Sequence, residues 1–415
     1  MNIVIFGRTV SSWWGSEHAT LWRSLCRALA RRGHRIAFFE RDVPAYAAHR
    51  DRAELERVEL VLYRSWEQTL PAARRALARA DAALVTSDCP DGPEASRLVL
   101  DSAARVRAFY DLDAPATLAR LEAGEAVPNL PDGGLGGFDL ALSCAGGRAL
   151  DALRTRLGAR RVAPLYGSVD PDACRPAGRP SGGRYALSYL GPYAKDRQPA
   201  LDRLLFEPAC WLARERFLVG GPFYPPDLPW GPNVRHRPYV PPADRPAFYA
   251  SSRLTLDVTP APMARAGHGP SGRLLEAAAA GAAVLTDGWE GLERFFAPGD
   301  EVVRVRAPDD VFDALELSDE EVDRLGRRAR AHPRRTHRRP PSGRTRRVAH
   351  VGRRPGGPLG RGGGSLSHLS TVLAAGPGTQ PARLGATYLA AGRPMMDVAT
   401  TEHAGRGTEA MRGGR

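Results

Sequence analysis

The chain has 415 residues, of which 43% are hydrophobic and 25% charged, a composition typical of two globular domains with extra sequence. Its five cysteines are odd in number and show no C-x-x-C spacing, which argues against a disulfide framework and a zinc site. No apolar run approaches the roughly 18 residues of a membrane span, and the opening MNIVIFG lacks the basic flank of a signal peptide. We therefore expect a cytoplasmic protein without a membrane span.

The first part of the chain alternates apolar strand candidates with helical stretches. NIVIF (2–6) and RIAFFE (35–40) enclose a helix with leucines four residues apart, and that helix is followed by Gly33. Further strand candidates are LVLY (60–63), AALVTS (82–87), VRAFYDLD (106–113) and DLALSC (139–144). Such alternation predicts a doubly wound parallel sheet.

A second series of strands follows a connection rich in proline and glycine at 163–176. Its strand candidates are ALSYLG (186–191), RFLVGG (216–221), NVRHRPYV (233–240), LTLDVT (254–259), AAVLTD (282–287) and EVVRVR (301–306). We therefore predict an α/β protein with two Rossmann-like domains, residues 1–167 and 168–330, facing a cleft. Open parallel sheets bind ligands beyond the carboxyl ends of their strands, so the cleft is the expected site.

The remaining residues, 331–415, differ in composition from the rest of the chain. The net charge of the whole chain is +13, but 18 arginines and only three acids lie from Arg327 onward, so the preceding residues are nearly neutral. Runs such as HPRRTHRRPPSGRTRR have no sustained apolar period, which predicts a disordered basic tail. A nucleic-acid-binding arm is one interpretation, but an accidental tail is favoured. This stretch can be encoded so that a one-nucleotide shift reads as an amphipathic helix, and a frameshift near Ala331 is therefore a hypothesis that the coding DNA would test.

The order of the motifs in the second domain resembles the donor domain of GT-B glycosyltransferases. The resemblance rests on the GGP turn (220–222), FYASSRLTLDVT (248–259), PSGRLLEAAAAGAAVLTD (270–287) and FFAPGDEVV (295–303). The opening SSWWGSEHATLWRSLCRALARRGHRIAFFERD, with FYDLDAPATL and YLGPYAKDRQ, is similar more narrowly to the CgeB-type glycosyltransferases of spore maturation. The resemblance covers about residues 1–330 and implies a nucleotide-sugar donor, an unknown acceptor and no metal or other cofactor.

The stretch HGPSGRLLEAAAAG (268–281) carries the predicted donor site. Ser271 and Gly272 place backbone N–H groups at a helix N-terminus, where a diphosphate is favoured, and Arg273 can add a guanidinium contact. The resemblance gives Glu276 the role of accepting hydrogen bonds from two ribose hydroxyls. The alternative for Arg273 and Glu276 is a local surface ion pair, worth at most about 0.5 kcal/mol.

Three further residues are candidates for the donor or its diphosphate. Many GT-B enzymes have an acid eight positions before the Glu276 position, and here that residue is His268, either a sugar ligand or a solvated loop histidine. Lys195, the only lysine of the chain, and Arg197 follow a second-domain strand and can stabilise the departing diphosphate. The alternative for both is a pair of solvated charges.

The loop GRTVSSWWGSEHA (7–19) in the first domain is the predicted acceptor side of the cleft. Of its two glycines, Gly15 is expected at the donor; the predicted acceptor-binding residues of this loop are Trp13, Trp14 and Glu17. His18 is a candidate base for the acceptor hydroxyl, or else a helix-start histidine without chemistry.

Two acids at a strand end, Asp111 and Asp113, are rival candidates for the base. Otherwise, one of them caps the following helix. Asp287 and Glu290 also follow a strand, and there we favour a role in the turn. No cluster of residues has metal-ligand spacing.

Three other functions remain open at this point. Glu40 ends the second strand, where a dinucleotide-dependent oxidoreductase holds the ribose, although the loop after NIVIF lacks G-x-G-x-x-G. A basic nucleic-acid binder is a non-enzymatic alternative, although nucleic acid is not the expected partner. An inactive transferase-like protein is the third.

Overall fold

Two parallel sheets, each covered by helices on both faces, make up the computed structural model. It describes residues 1–12, 17–47, 50, 57–170, 172–178, 180 and 184–337. The predicted α/β architecture with two Rossmann-like domains is confirmed.

The first sheet has seven parallel strands in the order β3-β2-β1-β4-β5-β6-β7. The strands are β1 (Asn2–Gly7), β2 (Arg35–Arg41), β3 (Val58–Tyr63), β4 (Ala82–Thr86), β5 (Val106–Asp111), β6 (Leu140–Ser143) and β7 (Val162–Pro164). The helices of this domain are α1 (Glu17–Arg31), α2 (Pro44–Ala47), α3 (Trp66–Leu77), α4 (Gly92–Leu100), α5 (Ala114–Glu122) and α6 (Arg148–Leu157). All six predicted strands are present; the short edge strand β7 was missed.

Strand β1 shows why this sheet is buried on both faces. Val4 and Phe6 pack into the cluster on one face, whereas Ile3 and Ile5 pack into the cluster on the other, as the two-residue period of a strand requires. The apolar side of α1 covers the second face. Gly33 follows the helix, and its φ of +85° suits a residue without a side chain.

The second sheet has six parallel strands in the order β10-β9-β8-β11-β12-β13. The strands are β8 (Tyr185–Leu190), β9 (Phe217–Gly220), β10 (Val234–Arg237), β11 (Ser252–Asp257), β12 (Ala283–Thr286) and β13 (Val303–Arg304). The helices are α7 (Gln198–Leu201), α8 (Glu207–Trp211), α9 (Arg245–Ala250), α10 (Ala261–Ala266), α11 (Gly272–Ala279), α12 (Pro308–Glu316) and α13 (Asp319–His337), with one π-helical turn at Asp202–Phe206 between α7 and α8.

Helix α13 extends past residue 331, where the tail was predicted to start, and the predicted domain bounds stay predictions. Its N-terminus is capped by Ser318, whose N–H donates to the carboxylate of Glu321 (2.9 Å). Val322, Leu325 and Ala329 are buried, and their packing anchors the helix on the second domain. The helix extends to residue 337. The remainder of the predicted tail, 338–415, lies outside the described residues.

The two domains contact each other beside the carboxyl ends of their strands. The N–H of Gly146, after β6, donates to the carbonyl of His268 in the second domain (2.8 Å). A Cβ atom at Gly269 would lie 3.2 Å from the Cβ of Ala145, and α10 packs on α5. The loop that leads into α11 therefore lies against the first domain. The predicted boundary at 167/168 falls in the connection between β7 and β8.

None of the helices in the described part of the chain is both long and apolar enough to cross a bilayer.

Candidate active site

Two loops of the second domain approach each other closely where β8 and β9 end. The N–H of Gly191 donates to Gly220 O (2.8 Å), and the N–H of Tyr193 donates to Pro222 O (3.0 Å). Gly221 has a φ of +134°, and a Cβ atom there would lie 2.1 Å from Gly191 O. Only glycine fits at position 221. The glycine allows the backbone of the GGP turn (220–222) to pack directly against the loop that follows β8.

Arg197 lies at the end of the first of these loops and is only 5% exposed. Its Nη2 donates to Pro192 O (3.2 Å), whereas Nε and Nη1 have no hydrogen-bond partner in the part of the chain that the structure describes. No ion pair involving Arg197 is formed among those residues. A buried guanidinium without a carboxylate is costly, so this residue is a strong candidate for binding an anion.

Arg273, in the first turn of α11, lies near the same point as Arg197. Burial raises the pKa of Tyr224, and the charges of Arg197 and Arg273 both oppose that shift. Both guanidinium groups therefore lie close enough to Tyr224 to act on its hydroxyl. Lys195, by contrast, is exposed and pairs with none of the described residues; its role at the diphosphate stays a prediction.

The N-terminus of α11 is capped by Ser271. The hydroxyl of Ser271 accepts from Leu274 N (3.0 Å) and donates to Asp257 Oδ1 (2.6 Å) at the end of β11. Ser271 thus caps the helix, and both hydrogen bonds of its hydroxyl are made to other residues of the protein. Ligand binding by Ser271 and Gly272 stays a prediction that depends on their backbone N–H groups.

Glu276 lies one turn further along α11 and is 8% exposed. Its carboxylate does not form the local ion pair with Arg273 that was the alternative. Instead, Arg245 Nη1 donates to both Oε1 (2.7 Å) and Oε2 (2.9 Å). Ribose binding by Glu276 stays a prediction; the site around it also includes an arginine from α9.

The ring of His268 is wedged between the two domains. A Cβ atom at Gly147 or at Gly291 would lie 2.6 Å from it, and its Nδ1 is buried without a hydrogen-bond partner among the described residues. Burial lowers the pKa of His268, and the charge of Arg294 lowers it further. The interpretation as a solvated loop histidine is wrong, since the residue is 8% exposed. The role of His268 as a sugar ligand stays a prediction. The packing of its ring between Gly147 and Gly291 counts against that role.

His18 forms a buried pair with Asp88 in the first domain. His18 Nδ1 lies 2.8 Å from Asp88 Oδ2, and the hydroxyl of Thr86 donates to Asp88 Oδ1 (2.5 Å). Burial on its own would raise the pKa of Asp88, but the hydrogen bond and charge of His18 hold it below its usual value. A carboxylate at one ring nitrogen orients the other as a base, which makes the pair suited to proton transfer.

Asp111 is fully buried, and its carboxylate accepts hydrogen bonds that stabilise the turn before α5. Its Oδ1 accepts from Asp113 N (3.0 Å) and from the hydroxyl of Thr117 (3.1 Å). Asp113 occupies the N-cap position, but its side chain makes no capping hydrogen bond. The base role stays a prediction for both acids. For Asp111 the absence of exposed surface counts against it, because an acceptor hydroxyl cannot reach the carboxyl.

We expect Asp111→Asn to retain turnover within about twofold and to alter how stability depends on pH. Burial raises the pKa of Asp111 to about 6, above its unfolded value. The protonated carboxyl therefore favours the folded state below about pH 4, by up to about 3 kcal/mol, and this contribution is lost as the pH rises through 6. Urea unfolding of wild type and variant between pH 4 and 7 would measure it. An unchanged slope, or a hundredfold loss of turnover, would contradict this assignment.

Glu40 explains why the oxidoreductase alternative fails here. Its Oε1 accepts from the hydroxyls of Thr9 (2.9 Å) and Ser11 (2.5 Å), and its Oε2 accepts from the N–H groups of Val10 (2.7 Å) and Ser11 (2.9 Å). The residue has no exposed surface. It therefore holds the loop after β1 and is not available to a ribose.

The predicted acceptor side of the cleft is described only in part. Trp13, Trp14 and Gly15 lie outside the described residues, as does the side chain of Glu17. Their binding roles stay predictions.

Asp287 and Glu290 are both engaged within the protein. Asp287 accepts from the N–H and hydroxyl of Thr259 (3.1 and 2.6 Å), which fits the favoured role in a turn. Glu290 pairs with Arg148 across the domains (2.6 Å). Within the described segments, no group of three or more His, Cys, Asp or Glu side chains could hold a metal ion.

Asp88 and Arg245 are the site residues that sequence reasoning missed. Asp88 follows the buried strand AALVT, so the strand-end rule that selected Asp111 could have found it. Arg245 lies 31 positions before Glu276, and no local pattern links the two. Only the fold brings them together.

Comparisons with known proteins agree with this architecture. Residues 197–339 match the model of the family described as "Glycosyl transferase-like". No curated protein sequence matches the chain significantly. Sucrose-phosphate synthase from Thermosynechococcus elongatus is similar in structure, with 12% identity and a TM-score of 0.56, over 80% of this chain and 94% of that one.

Two further solved structures are similar over the same share of the chain. An alpha-glucosyltransferase in complex with UDP-glucose and DNA containing an abasic site has a TM-score of 0.60 at 10% identity, and HepE from Anabaena in complex with UDP and glucose has 0.54 at 12%. The match covers 80% of this chain and 94% of each of theirs. At such low identity the likeness shows the fold alone. The chain has the GT-B glycosyltransferase fold.

Proposed function

We propose that this protein is a metal-independent glycosyltransferase that moves a sugar from a nucleoside diphosphate sugar to an acceptor hydroxyl. The observation that carries the proposal is Arg197, a buried guanidinium that pairs with no acid among the described residues. It lies in a strand-end loop, near Arg273 at the start of α11. Two guanidinium groups and the N–H groups of a helix start match the charge of a diphosphate.

Each part of the site has a role in this reaction. Arg197, Arg273 and the N-terminus of α11 stabilise the negative charge that develops on the departing diphosphate. Glu276 accepts hydrogen bonds from the ribose. On the opposite domain, the His18–Asp88 pair takes the proton of the acceptor hydroxyl, with Asp88 orienting the ring.

The similar structures guide the choice of donor. HepE is described with UDP and glucose, and the alpha-glucosyltransferase with UDP-glucose. We propose a hexosyl donor of this kind and a cytoplasmic enzyme that resembles the CgeB-type glycosyltransferases.

Calorimetric titration with UDP, GDP and ADP, and with their glucose conjugates, tests the proposal. We expect one binding site per chain for at least one nucleotide, unchanged by EDTA, and slow release of the nucleoside diphosphate from the matching sugar nucleotide. Glu276→Ala should weaken binding by about 10- to 100-fold, because it removes charged hydrogen bonds. Absence of binding by every nucleotide would overturn the proposal.

A further inference from the structure

The loop that leads into α11 is bonded to both domains through His268. The N–H of His268 donates to Glu290 O (2.7 Å) in the second domain, and its carbonyl accepts from the N–H of Gly146 (2.8 Å) in the first. The φ of His268 is +51°, a left-handed conformation that residues other than glycine rarely adopt. Such a conformation persists only where the surroundings hold it, and the two backbone hydrogen bonds do so here.

The ring of His268 fills the space between one glycine of each domain. A Cβ atom would lie 2.6 Å from the ring both at Gly147 in the first domain and at Gly291 in the second. Of the ring atoms, Nδ1 would lie nearest to a Cβ at Gly147, the N-cap residue of α6, and no described side chain caps that helix. The N-terminus of a helix carries partial positive charge, so it favours a neutral ring with an acceptor nitrogen at this place.

Two further contacts belong to the same junction between the domains. A Cβ atom at Gly269 would lie 3.2 Å from the Cβ of Ala145, which is closer than ordinary van der Waals contact. Arg148 of α6 donates to the carboxylate of Glu290 across the domains (2.6 Å), but both side chains are largely exposed, so this pair contributes little. The packing of residues 268 and 269 is therefore the part of the junction that holds the domains.

The junction lies between the two halves of the proposed mechanism. Ser271, the cap of α11, follows His268 by three residues, so the junction determines where the helix N-terminus points. The loop 144–147 follows β6 and Asp88 follows β4, and both strands end at the same edge of the first sheet. Movement of the domains at the junction would therefore change the distance between the diphosphate site and the His18–Asp88 pair.

We propose that His268 is a positioning residue that keeps the two domains in a fixed arrangement, so that the start of α11 faces the His18–Asp88 pair before any ligand binds. The expected effect on turnover rests on the proposed function, whereas the junction between the domains is independent of it. The inference gives His268 a role that differs from that of a sugar ligand.

Gly269→Ala tests the junction without changing His268. The added methyl group meets Ala145, so we expect kcat to fall by about 100-fold, the cost of a misplacement of about 1 Å. The Kd for nucleoside diphosphates should change by less than about twofold, because the nucleotide contacts only the second domain. Ala145→Gly removes the opposing methyl group, and Gly269→Ala/Ala145→Gly should therefore recover to within about threefold of the wild-type rate. The matched control is Gly133→Ala, whose Cβ would meet no atom within 4 Å and which should keep the wild-type rate.

Hydrogen exchange of the Gly146 amide measures the junction directly, because this N–H donates to His268 O. In the ligand-free wild type the amide should exchange at least about tenfold more slowly than in His268→Asn. Asparagine tolerates a φ of +51° but is too short to fill the space of the ring. The amide of Cys144, which donates to Asp111 O within the first domain, is the reference and should be unchanged.

The outcomes separate this inference from the proposed function. Equal exchange of the Gly146 amide in wild type and His268→Asn, or a Gly269→Ala variant that Ala145→Gly does not rescue, would overturn the inference and leave the proposed function standing. If His268→Asn weakens binding of the sugar nucleotide but not of its nucleoside diphosphate, the ring is a sugar ligand and the inference is wrong. Absence of nucleotide binding in the wild type would overturn the proposed function, whereas slow exchange of Gly146 would still support the fixed arrangement of the domains.

Discussion

Arg197→Met is expected to stabilise the ligand-free protein and to weaken its binding to nucleoside diphosphates by about 100-fold. Methionine fills a similar volume without a charge, so the variant no longer buries a guanidinium that lacks an acid among the described residues. The free energy of unfolding should rise by about 1–4 kcal/mol, the range seen when buried ion pairs are replaced by apolar residues of similar volume. Loss of a charged contact to the diphosphate accounts for the weaker binding.

Urea unfolding and calorimetric titration of the same preparation would measure both effects. Arg203→Met is the matched control, because Arg203 lies on the following helical segment but is exposed. We expect that variant to match the wild type in stability within about 0.5 kcal/mol and in nucleotide affinity. A destabilised Arg197→Met, or one that binds nucleotides as tightly as the wild type, would show that the arginine has a structural role instead.

Strands such as β1 and β4 could be predicted because each is a short apolar run that is buried on both faces. Short apolar runs such as NIVIF and AALVTS are typical of buried parallel strands, and their alternation with helices predicted the two-sheet architecture. Strand β7 was missed because it has only three residues, ends in Pro164 and is half-buried at the sheet edge. A short edge strand of this kind forms because it pairs with its neighbour, here β6, and its own sequence carries little strand signal.

The candidate site could be predicted only where the chemistry is local. The cap at Ser271 and the charges of α11 follow from adjacent residues, and the structure shows the helix starting there. The partners of those charges come from distant segments: Arg245 reaches Glu276 from α9, and Asp88 reaches His18 from beyond β4. The burial of His268 could not be predicted for the same reason, since Gly147 of the other domain covers its ring.

The N-domain and C-domain parts of the site lead to opposite expectations for binding and turnover. Arg197, Arg273 and Glu276 belong to the second domain, so their loss should weaken the affinity for the nucleotide. His18 and Asp88 belong to the first domain, and their loss should leave that affinity intact and slow the reaction. This division allows the two halves of the proposed mechanism to be tested separately.

His18→Asn is expected to lower kcat by about 10²- to 10⁴-fold, the usual contribution of a general base, with the Kd for the nucleoside diphosphate unchanged. Asp88→Asn should lower kcat by about 10- to 100-fold, because an amide at 2.8 Å from Nδ1 no longer favours the proton on that nitrogen. The rate of nucleoside diphosphate release from the sugar nucleotide, measured with water as acceptor, reports kcat for each variant.

The matched control for this pair is His34→Gln, which replaces a histidine that lies 3.2 Å from the N-terminal amine and far along the chain from Asp88. That variant should retain the wild-type rate. Because the ring of His18 and the carboxylate of Asp88 act as one unit, the double variant should be no slower than His18→Asn alone. If the two losses multiply, or if His18→Asn turns over at the wild-type rate, the proton is taken elsewhere and the buried pair serves only to hold the start of α1 against β4.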